Sequence, residues 1–461
     1  MSAETTRGRL TRGVKAALLD TMRKTPVAEK TSHAAPVARG GRRDMSFASL
    51  PAYQQLSTQR GLSDALGLSF PFYRTHDARA GAGSVIDGQK VVNFASYDYL
   101  GLNGHPEITR AVAAATEQWG TSVSASRITA GERGFHHDLE RALADIYDAE
   151  ASLVFVSGHA TAISTIAALL GPKDLILHDS LIHNCVVVGA QLCGATRRSF
   201  PHNDMDALSD ILAATRDRFE RVLIVSEGLY SMDGDGPDLA RLADIKEQFD
   251  CWLMVDDAHA LGILGTTGRG IFEMADVDPK RIDIWLGTLS KTLVSCGGYV
   301  AGSRVLIDYL KLTAPGMVYS VGLPAPAAVA ALTAIQLMQR EPERVARLQA
   351  NGQRFLHKAR EAKLDVGTSW GYAVTPVVVG DSLRTILLAD RLLKRGYNAF
   401  PIVPPGVPEQ SARLRFFISS EHTAEDIDGA VAATREELTQ LEQAGTSLGT
   451  MAKLMMAKIR S

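Results

Sequence analysis

From about residue 90 the chain alternates short apolar runs with longer segments whose apolar residues recur at helical spacing. The apolar runs predict five strands, at 152–158, 174–179, 221–230, 251–259 and 282–290. Helices are predicted before and between them, at 106–120, 204–218 and 238–249. Continuously apolar strands that are separated by helices are typical of a mostly parallel sheet covered on both faces. The pattern therefore predicts an α/β fold with a large sheet domain.

Beyond residue 340 the pattern changes. It predicts in turn an amphipathic helix, a strand, a second helix and an alternating strand, at 342–364, 372–381, 382–396 and 413–419. On the last strand, Leu414, Phe416 and Ile418 share one face, whereas Arg413, Arg415 and Phe417 share the other. We expect a smaller C-terminal α+β domain. The predicted organisation is a leader, an N-terminal segment, a large domain, a small domain and a tail, at 1–49, 50–92, 93–340, 341–445 and 446–461.

Two long uncharged stretches could be mistaken for membrane spans. In the first, 151–171, Gly158 and His159 stand at the middle, which favours a buried strand, a turn and a buried helix. The second, 313–338, contains three prolines that would break a spanning helix. No transmembrane segment is therefore expected.

The charge is unevenly distributed along the chain. The 461 residues carry a formal net charge of −2, which gives no electrostatic case for binding nucleic acid. Residues 1–44, however, hold ten Lys/Arg and four Asp/Glu, so a basic leader precedes an acidic body. We expect a flexible solvated leader; a transit peptide is the alternative, although the acidic residues count against it. Four cysteines without CxxC spacing favour a reducing, cytoplasmic location.

Both ends of the chain suggest partners. An acidic acyl carrier protein would be attracted to the basic leader by opposite charge. In the tail 446–461, apolar residues recur at helical spacing with basic residues between them. We expect this helix to pack on its own subunit or to fray, and docking on a membrane surface or a partner is the alternative.

The candidate chemistry is centred on a lysine. Lys291 follows the predicted strand 282–290, and the strand 251–259 brings Asp256 and His259 to its carboxyl end. In open α/β sheets ligands bind beyond the carboxyl ends of the strands, so we expect these three residues to converge. A lysine, a buried carboxylate and a histidine around one cavity are what pyridoxal 5'-phosphate (PLP) requires, because the lysine forms a Schiff base and the carboxylate keeps the pyridine nitrogen protonated. A solvated lysine beside a helix-capping Asp pair is the alternative.

Several motifs in a fixed order make the chain similar to the α-oxoamine synthases, PLP enzymes of fold type I. The motifs are NFASYDYLGL (93–102), ASRITAGERGFHHDLERALAD (125–145), SEGLYSMDGD (226–235), WLMVDDAHALGILGTTGRG (252–270) and GTLSKTLVSCGGYVAG (287–302), followed by VPPGVPEQSARLRFFIS and SEHT. The resemblance extends from about residue 50 to residue 440. The leader and the tail lie outside it.

The resemblance implies a role for each candidate residue. Lys291 would hold the cofactor and move the Cα proton of the substrate, and Asp256 would pair with the pyridine nitrogen. It further implies that His259 and Ser231 bond the phenolic oxygen, that His136 stacks on the ring, and that Thr288, Gly158, His159 and a neighbouring subunit's Ser320 hold the phosphate. Arg415 would bind the amino-acid carboxylate, with Arg413 as the alternative anchor. Tyr97 and His183 would contact the substrate, and no metal is implied.

The implied activity is the decarboxylative condensation of a small L-amino acid with an acyl thioester, carried by CoA or by a carrier protein, in a homodimer with shared active sites. The products would be an α-amino ketone, carbon dioxide and a free thiol. An aminotransferase on the same fold and a catalytically silent subunit of a heteromeric synthase are the alternatives. Two departures from the common family pattern, Tyr97 and His159, lie where substrates should bind. The choice among Ser, Ala and Gly and the acyl chain length therefore stay open.

Overall fold

The computed structural model describes residues 44–65, 70–447 and 449. Its contacts divide the chain into two compact units, residues 1–74 with 442–461, and residues 75–441. The described part of the first unit contains a short 3-10 turn, Phe47–Ser49, and one long helix. Most of the predicted leader, 1–43, and most of the predicted tail lie outside the described residues, so what the sequence predicts for both remains a prediction.

The strands and helices alternate along most of the second unit, as the sequence predicts. The strands are β1 (Gly83–Ile86), β2 (Gln89–Asn93), β3 (Ala151–Phe155), β4 (Leu175–Asp179), β5 (Thr196–Phe200), β6 (Val222–Glu227), β7 (Trp252–Asp256), β8 (Ile284–Thr288), β9 (Gly298–Gly302), β10 (Val374–Val378), β11 (Tyr397–Asn398), β12 (Phe400–Ile402) and β13 (Arg413–Phe417). The helices are α1 (Pro51–Ala65), α2 (Pro106–Trp119), α3 (Gly134–Ile146), α4 (Gly158–Leu169), α5 (Asn184–Cys193), α6 (Met205–Thr215), α7 (Leu239–Gln248), α8 (Ile271–Ala275), α9 (Arg304–Thr313), α10 (Pro315–Val318), α11 (Ala325–Arg340), α12 (Glu343–Glu361), α13 (Ser382–Lys394) and α14 (Ala424–Gln443).

The largest sheet has seven strands in the order β3-β9-β8-β7-β6-β4-β5. The five strands from β8 to β5 are parallel to their neighbours, whereas β9 runs antiparallel to both β8 and β3. All five predicted strands are present, as β3, β4, β6, β7 and β8, so the α/β fold with a mostly parallel sheet is confirmed.

Both faces of this sheet are buried, which explains why its strands are continuously apolar. Along β6, Ile224 packs into one hydrophobic cluster, while Leu223 and Val225 pack into a second cluster on the opposite face. Neighbouring strands follow the same alternation: Leu253 belongs to the first cluster and Met254 to the second. Side chains alternate across a strand, so a strand with helices on both sides needs apolar residues at consecutive positions.

The elements predicted after residue 340 are also present. The antiparallel sheet β10-β13-β12 follows α12, and a third sheet has the order β1-β2-β11. These sheets and the seven-stranded sheet belong to the same unit, 75–441, and the proposed boundary at residue 340 stays a prediction. Stretch 151–171 forms β3 and α4, as expected. Of the helices within the described residues, none has the length and apolar character needed to cross a bilayer.

Candidate active site

The carboxyl ends of adjacent parallel strands meet at one cavity of about 500 Å³. Glu227, Asp256 and Thr288 end β6, β7 and β8, and all three line the cavity with Lys291, which lies three residues beyond β8. This is the position at which open α/β sheets bind ligands. Ten predicted site residues line the cavity: Tyr97, Gly158, His159, His183, Ser231, Asp256, His259, Thr288, Lys291 and Arg415.

The amino group of Lys291 is held in a largely desolvated position. Its Nζ lies 5.6 Å from the centroid of the Tyr97 ring. Burial lowers the pKa of Lys291, while the nearby carboxyls of Asp256 and Glu227 act in the opposite direction. A lysine whose pKa is lowered has a larger neutral fraction at neutral pH, and the neutral amine is the nucleophile. Lys291 therefore has the environment of a reactive amine.

Asp256 supplies a buried carboxylate to the same cavity. Its Oδ1 accepts the backbone N–H of Ala258 at 3.0 Å, and within the described residues no side chain donates a hydrogen bond to it. Burial raises the pKa of Asp256, and the charge of Lys291 opposes this effect. A buried carboxylate needs a cationic or hydrogen-bonding partner, and the protonated pyridine nitrogen of PLP is such a partner. The carboxylate therefore fits the cofactor.

His259 is fixed by aromatic neighbours. Its Nδ1 lies 2.9 Å from the hydroxyl of Tyr99, and its ring stacks on Phe417 with an interplanar angle of 21°. Burial lowers the pKa of His259 well below its usual value, and the charges of Lys291 and Arg415 add to the shift. The imidazole is therefore neutral at pH 7 and can serve as a hydrogen-bonding group.

A second part of the cavity is shaped to bind an anion. Helix α4 begins at Gly158, and Ser157 caps it by accepting the N–H of Ala160 at 3.3 Å. A Cβ at Gly158 would lie 2.8 Å from Oγ1 of Thr288, and a Cβ at Gly298 would lie 2.5 Å from the Cα of Gly158. Backbone N–H groups at a helix N-terminus favour a bound phosphate. Because Gly158 and Gly298 carry no side chains, this cradle is open beside the hydroxyl of Thr288 and fits the phosphate of PLP.

The partners of the two arginines on β13 separate their roles. Arg413 donates to the carboxylate of Asp233 at 2.6 Å and to the carbonyl of Met232 at 3.0 Å. Arg415 contacts Ser231 O at 3.2 Å, and its buried Nε has no hydrogen-bond partner within the described chain. Burial lowers the pKa of Arg415. An unsatisfied guanidinium N–H is costly, so Arg415 is suited to bind a substrate carboxylate, whereas Arg413 is already paired.

The expectation that His136 stacks on the cofactor needs correction. His136 is fully buried outside the cavity, where its Nδ1 accepts the N–H of Arg133 at 3.2 Å and its Nε2 donates to Leu323 O at 2.7 Å. Both ring nitrogens are therefore used to fix the start of α3. Sequence pattern placed His136 at a helix start but could not show which way its ring faces.

His183 lines the cavity together with His159 and His259. It caps α5, its backbone N–H donates to Oε1 of Glu227 at 2.8 Å, and its Nδ1 lies 2.9 Å from Sγ of Cys185. Its ring meets that of His159 at a centroid distance of 6.2 Å. Burial lowers the pKa of His183. Ser320 lies outside this cavity, and its predicted role in a neighbouring subunit stays a prediction.

Sequence reasoning missed Glu227, Tyr99 and Phe417. Glu227 lies inside the motif SEGLYSMDGD, and Tyr99 lies inside NFASYDYLGL, so the signal was present without an assigned role. Within the described residues no group of three or more His, Cys, Asp or Glu is arranged to hold a metal ion. A larger groove of about 870 Å³, near Trp285 and Tyr309, contains none of the predicted site residues.

Comparisons with known proteins agree with this geometry. The family described as "Aminotransferase class I and II" matches residues 89–433. A putative 8-amino-7-oxononanoate synthase of Gloeobacter violaceus is 41% identical over 363 residues, which are 78% of this chain and 92% of that protein. The 8-amino-7-oxononanoate synthase of Symbiobacterium thermophilum is 39% identical over 76% of this chain and 89% of its own length.

Solved structures of serine palmitoyltransferases are also similar to this chain. Serine palmitoyltransferase of Sphingomonas wittichii has a TM-score of 0.80 and 26% identity, over 84% of this chain and 98% of its own. Serine palmitoyltransferase from S. paucimobilis, solved with PLP bound, has a TM-score of 0.82 and 25% identity, over 87% of this chain and all of its own. The chain therefore belongs to the α-oxoamine synthases of the class I and II aminotransferase family, PLP-dependent enzymes of fold type I that condense an amino acid with an acyl thioester and release carbon dioxide.

Proposed function

We propose that the cavity around Lys291 joins a small L-amino acid to an acyl thioester and yields an α-amino ketone, carbon dioxide and the free thiol. One observation carries this assignment: the amine of Lys291, the carboxylate of Asp256 and the guanidinium of Arg415, whose Nε is unpaired within the described chain, line one cavity. These three groups match a cofactor attachment point, a pyridinium partner and a carboxylate anchor.

PLP, when bound, supplies a ring that withdraws electrons from the Cα of the amino acid. Asp256 keeps the pyridine nitrogen protonated, and Arg415 holds the amino-acid carboxylate. Lys291 would remove the Cα proton of the amino acid and later return one to the same carbon. The lowered pKa of Lys291 suits this exchange, because the neutral amine is the base.

The remaining residues hold the cofactor in place. His259 and Ser231 would bond its phenolic oxygen, and His183 would contact its ring. The backbone of Gly158 and His159, together with Thr288, binds the phosphate at the start of α4. Asp256, His259 and Arg415 are themselves buried, and fixed charges and dipoles have a stronger effect in such surroundings than in water.

The substrate side of the site favours a small amino acid. The ring of Tyr97 lies 5.6 Å from Nζ of Lys291, so it limits the space beside the reacting amine. Ser, Ala and Gly therefore form the first panel of amino acids to assay, each with acyl-CoA thioesters of increasing length and with acyl carrier protein. Mass analysis of the amino ketone identifies the accepted pair.

Replacement of Lys291 tests the central assignment. Purified Lys291→Ala protein is expected to lose both the visible absorbance of the lysine-bound cofactor and amino-acid-dependent thiol release. His137→Gln is the matched control, because His137 is half exposed on the surface of α3. Wild-type amino transfer to a keto acid without thiol release would instead indicate an aminotransferase. A wild-type protein that shows neither the absorbance nor turnover would indicate a silent subunit.

The proposal extends to location and partners. We propose a cytoplasmic location, supported by four cysteines that are all free, and a homodimer, which the resemblance to the α-oxoamine synthases implies. We also propose that an acyl carrier protein docks on the basic leader. Deletion of residues 1–44 should then lower turnover with a carrier-bound acyl donor more than turnover with acyl-CoA. An equal decrease with both donors would contradict the proposal. Membrane-surface association through the tail is tested by vesicle co-sedimentation with and without residues 446–461.

A further inference from the structure

His202 lies outside the cavity, between two buried carboxylates that the mechanism does not use. It follows β5, and its Nδ1 is 2.9 Å from Oδ1 of Asp179, while its Nε2 is 3.1 Å from Oδ2 of Asp235. Both carboxylates are almost completely buried, with exposed fractions of 1% and 3%. The ring of Tyr230 meets the His202 ring edge-on at 4.6 Å.

The geometry requires a cation at His202. A carboxylate accepts hydrogen bonds, so both ring nitrogens must carry protons to bond Asp179 and Asp235 at once. The resulting imidazolium compensates two buried negative charges with charge-assisted hydrogen bonds, which are stronger than neutral ones. If this cation were removed, the two desolvated carboxylates would keep only neutral donors among the described residues: the N–H groups of Leu181 and Asn203 for Asp179, and the hydroxyl of Thr368 for Asp235.

Asp179 connects His202 to His183. Asp179 ends β4, and its Oδ1 also accepts the backbone N–H of Leu181 at 2.8 Å. Its carbonyl accepts the N–H of Ile182 at 3.2 Å. The carboxylate and carbonyl of Asp179 therefore fix the two residues that precede His183, whose ring faces the cavity.

Asp235 connects His202 to Arg415. Its carbonyl accepts the N–H of Tyr230 at 2.7 Å, and the N–H of Gly234 donates to Tyr230 O at 2.8 Å, so residues 230–235 form a closed loop. Within this loop, the carbonyl of Ser231 accepts Nη1 of Arg415 at 3.2 Å. A shift of Asp235 would therefore move a contact that orients the guanidinium.

We propose that His202 is a positioning residue, an ionic clamp that holds together the loop carrying His183 and the loop that orients Arg415. The clamp therefore links His183, which is proposed to contact the cofactor, to Arg415, which is proposed to bind the substrate carboxylate. It affects amino-acid binding more than acyl-thioester or cofactor binding, since the phosphate cradle at Gly158 and the attachment point at Lys291 do not contact it. This inference rests on the proposed role of Arg415.

Four variants of the holoenzyme test the clamp. His202→Gln removes the cation, Asp235→Asn neutralises one partner, His202→Lys restores a positive charge, and His137→Gln is the exposed control. The measurements are the dissociation constant of the amino acid by titration of the cofactor absorbance, the KM of the acyl thioester, the dissociation constant of PLP, and the urea unfolding midpoint.

We expect His202→Gln and Asp235→Asn to weaken amino-acid binding about 10-fold, a change that corresponds to about 1.4 kcal/mol. Acyl-thioester KM and PLP affinity should stay within about twofold, and His202→Lys should recover part of the loss. Unchanged amino-acid binding in both variants overturns the proposal. An equal loss of all three affinities also overturns it, because a general loosening of the fold would then explain the effect. Asp235→Asn decides the matter if His202→Gln does not fold.

Arg415→Lys separates the failure of the clamp from the failure of the proposed function. If Arg415→Lys binds the amino acid normally, the assigned anchor is wrong. If Arg415→Lys loses binding about 100-fold, as expected for a lost bidentate contact, while the His202 and Asp235 variants bind normally, the clamp alone is wrong.

Discussion

Glu227 and Asp256 are register partners at the ends of the adjacent parallel strands β6 and β7, so two carboxyl groups face the same buried cavity. Two neighbouring buried carboxyls do not both ionise easily, because each charge disfavours the other. Asp256 also faces the amine of Lys291, which favours its charged form. We therefore assign the negative charge to Asp256 and the proton to Glu227.

The protonated state of Glu227 can be tested by substitution with an amide. Burial, with a further contribution from Asp256, raises the pKa of Glu227 to about 8. Its folded-state proton therefore stabilises the fold fully below the unfolded pKa of about 4.3, and this contribution is lost as the pH rises through about 8. The free energy of unfolding of Glu227→Gln, measured with urea, should therefore fall less between pH 5 and pH 9 than that of wild type.

The same variant should retain catalysis. Glutamine keeps the acceptor for the N–H of His183, so kcat/KM at pH 7 should stay within about threefold of wild type. Glu227→Ala removes that acceptor and should lose about 10-fold or more. A loss of about 100-fold in Glu227→Gln would show that the ionised carboxylate is needed.

The phosphate cradle predicts a difference between two glycines at helix starts. Alanine at Gly158 would place a methyl group 2.8 Å from Oγ1 of Thr288, in the space assigned to the phosphate. At Gly134, the first residue of α3, no atom lies within 4 Å of an added Cβ. Gly158→Ala should weaken PLP binding about 10-fold or more, whereas Gly134→Ala should leave it unchanged. Equal PLP affinities, measured by titration of the apoenzyme, would contradict the cradle.

The two candidate histidines should differ in what their loss affects. His183 lines the cavity and caps α5, so His183→Ala should lower kcat/KM about 100-fold and cost about 1 kcal/mol of unfolding free energy for the lost cap. His136 bonds backbone groups at both ring nitrogens, so His136→Ala should cost about 1–3 kcal/mol of unfolding free energy. The cofactor spectrum should change in the first variant and not in the second. The opposite pattern would return the stacking role to His136.

The clamp at His202 predicts an alkaline loss of stability. Burial alone lowers the pKa of His202, but its hydrogen bonds to Asp179 and Asp235 raise it to about 10. The raised pKa stabilises the fold fully below the unfolded value of about 6.5, and the contribution is lost as the pH rises through about 10. Between these values the slope is up to about 1.4 kcal/mol per pH unit. In urea unfolding, wild type should lose free energy of unfolding between pH 7 and pH 10, whereas His202→Gln should not show this loss. An equal loss in both proteins would exclude a charged His202 as its cause.

Much of the fold could be predicted because a strand that is buried on both faces has apolar residues at consecutive positions. The strands β3, β4, β6, β7 and β8 are continuously apolar for that reason. The edge strand β5 was missed because four of its five residues are exposed, among them Arg197 and Arg198. The strand β9, which is as long as β3 and β4, was missed because it begins and ends with glycine.

The site was predictable where the strand ends determine it and unpredictable where a side-chain direction determines it. Lys291, Asp256 and His259 follow strand ends, and the sheet brings them together. His136 was misplaced because its position in a motif does not show which way its ring faces. The distinction between Arg413 and Arg415 also needed coordinates, since both face the same side of β13, but Arg413 is paired with Asp233 whereas Nε of Arg415 has no partner within the described chain.

The antiparallel direction of β9 has a consequence for how the reactive lysine is held. Thr288 at the end of β8 pairs with Gly298 at the start of β9, and Leu289 donates to Gly297 O at 2.9 Å. Lys291 is therefore enclosed in a hairpin-like connection of fewer than ten residues, whose closure costs little chain entropy. The ionisable residues that influence Lys291, namely Asp256, Glu227 and Arg415, are far from it in the sequence. The connection that holds the lysine backbone, in contrast, is formed by residues close to it in the chain.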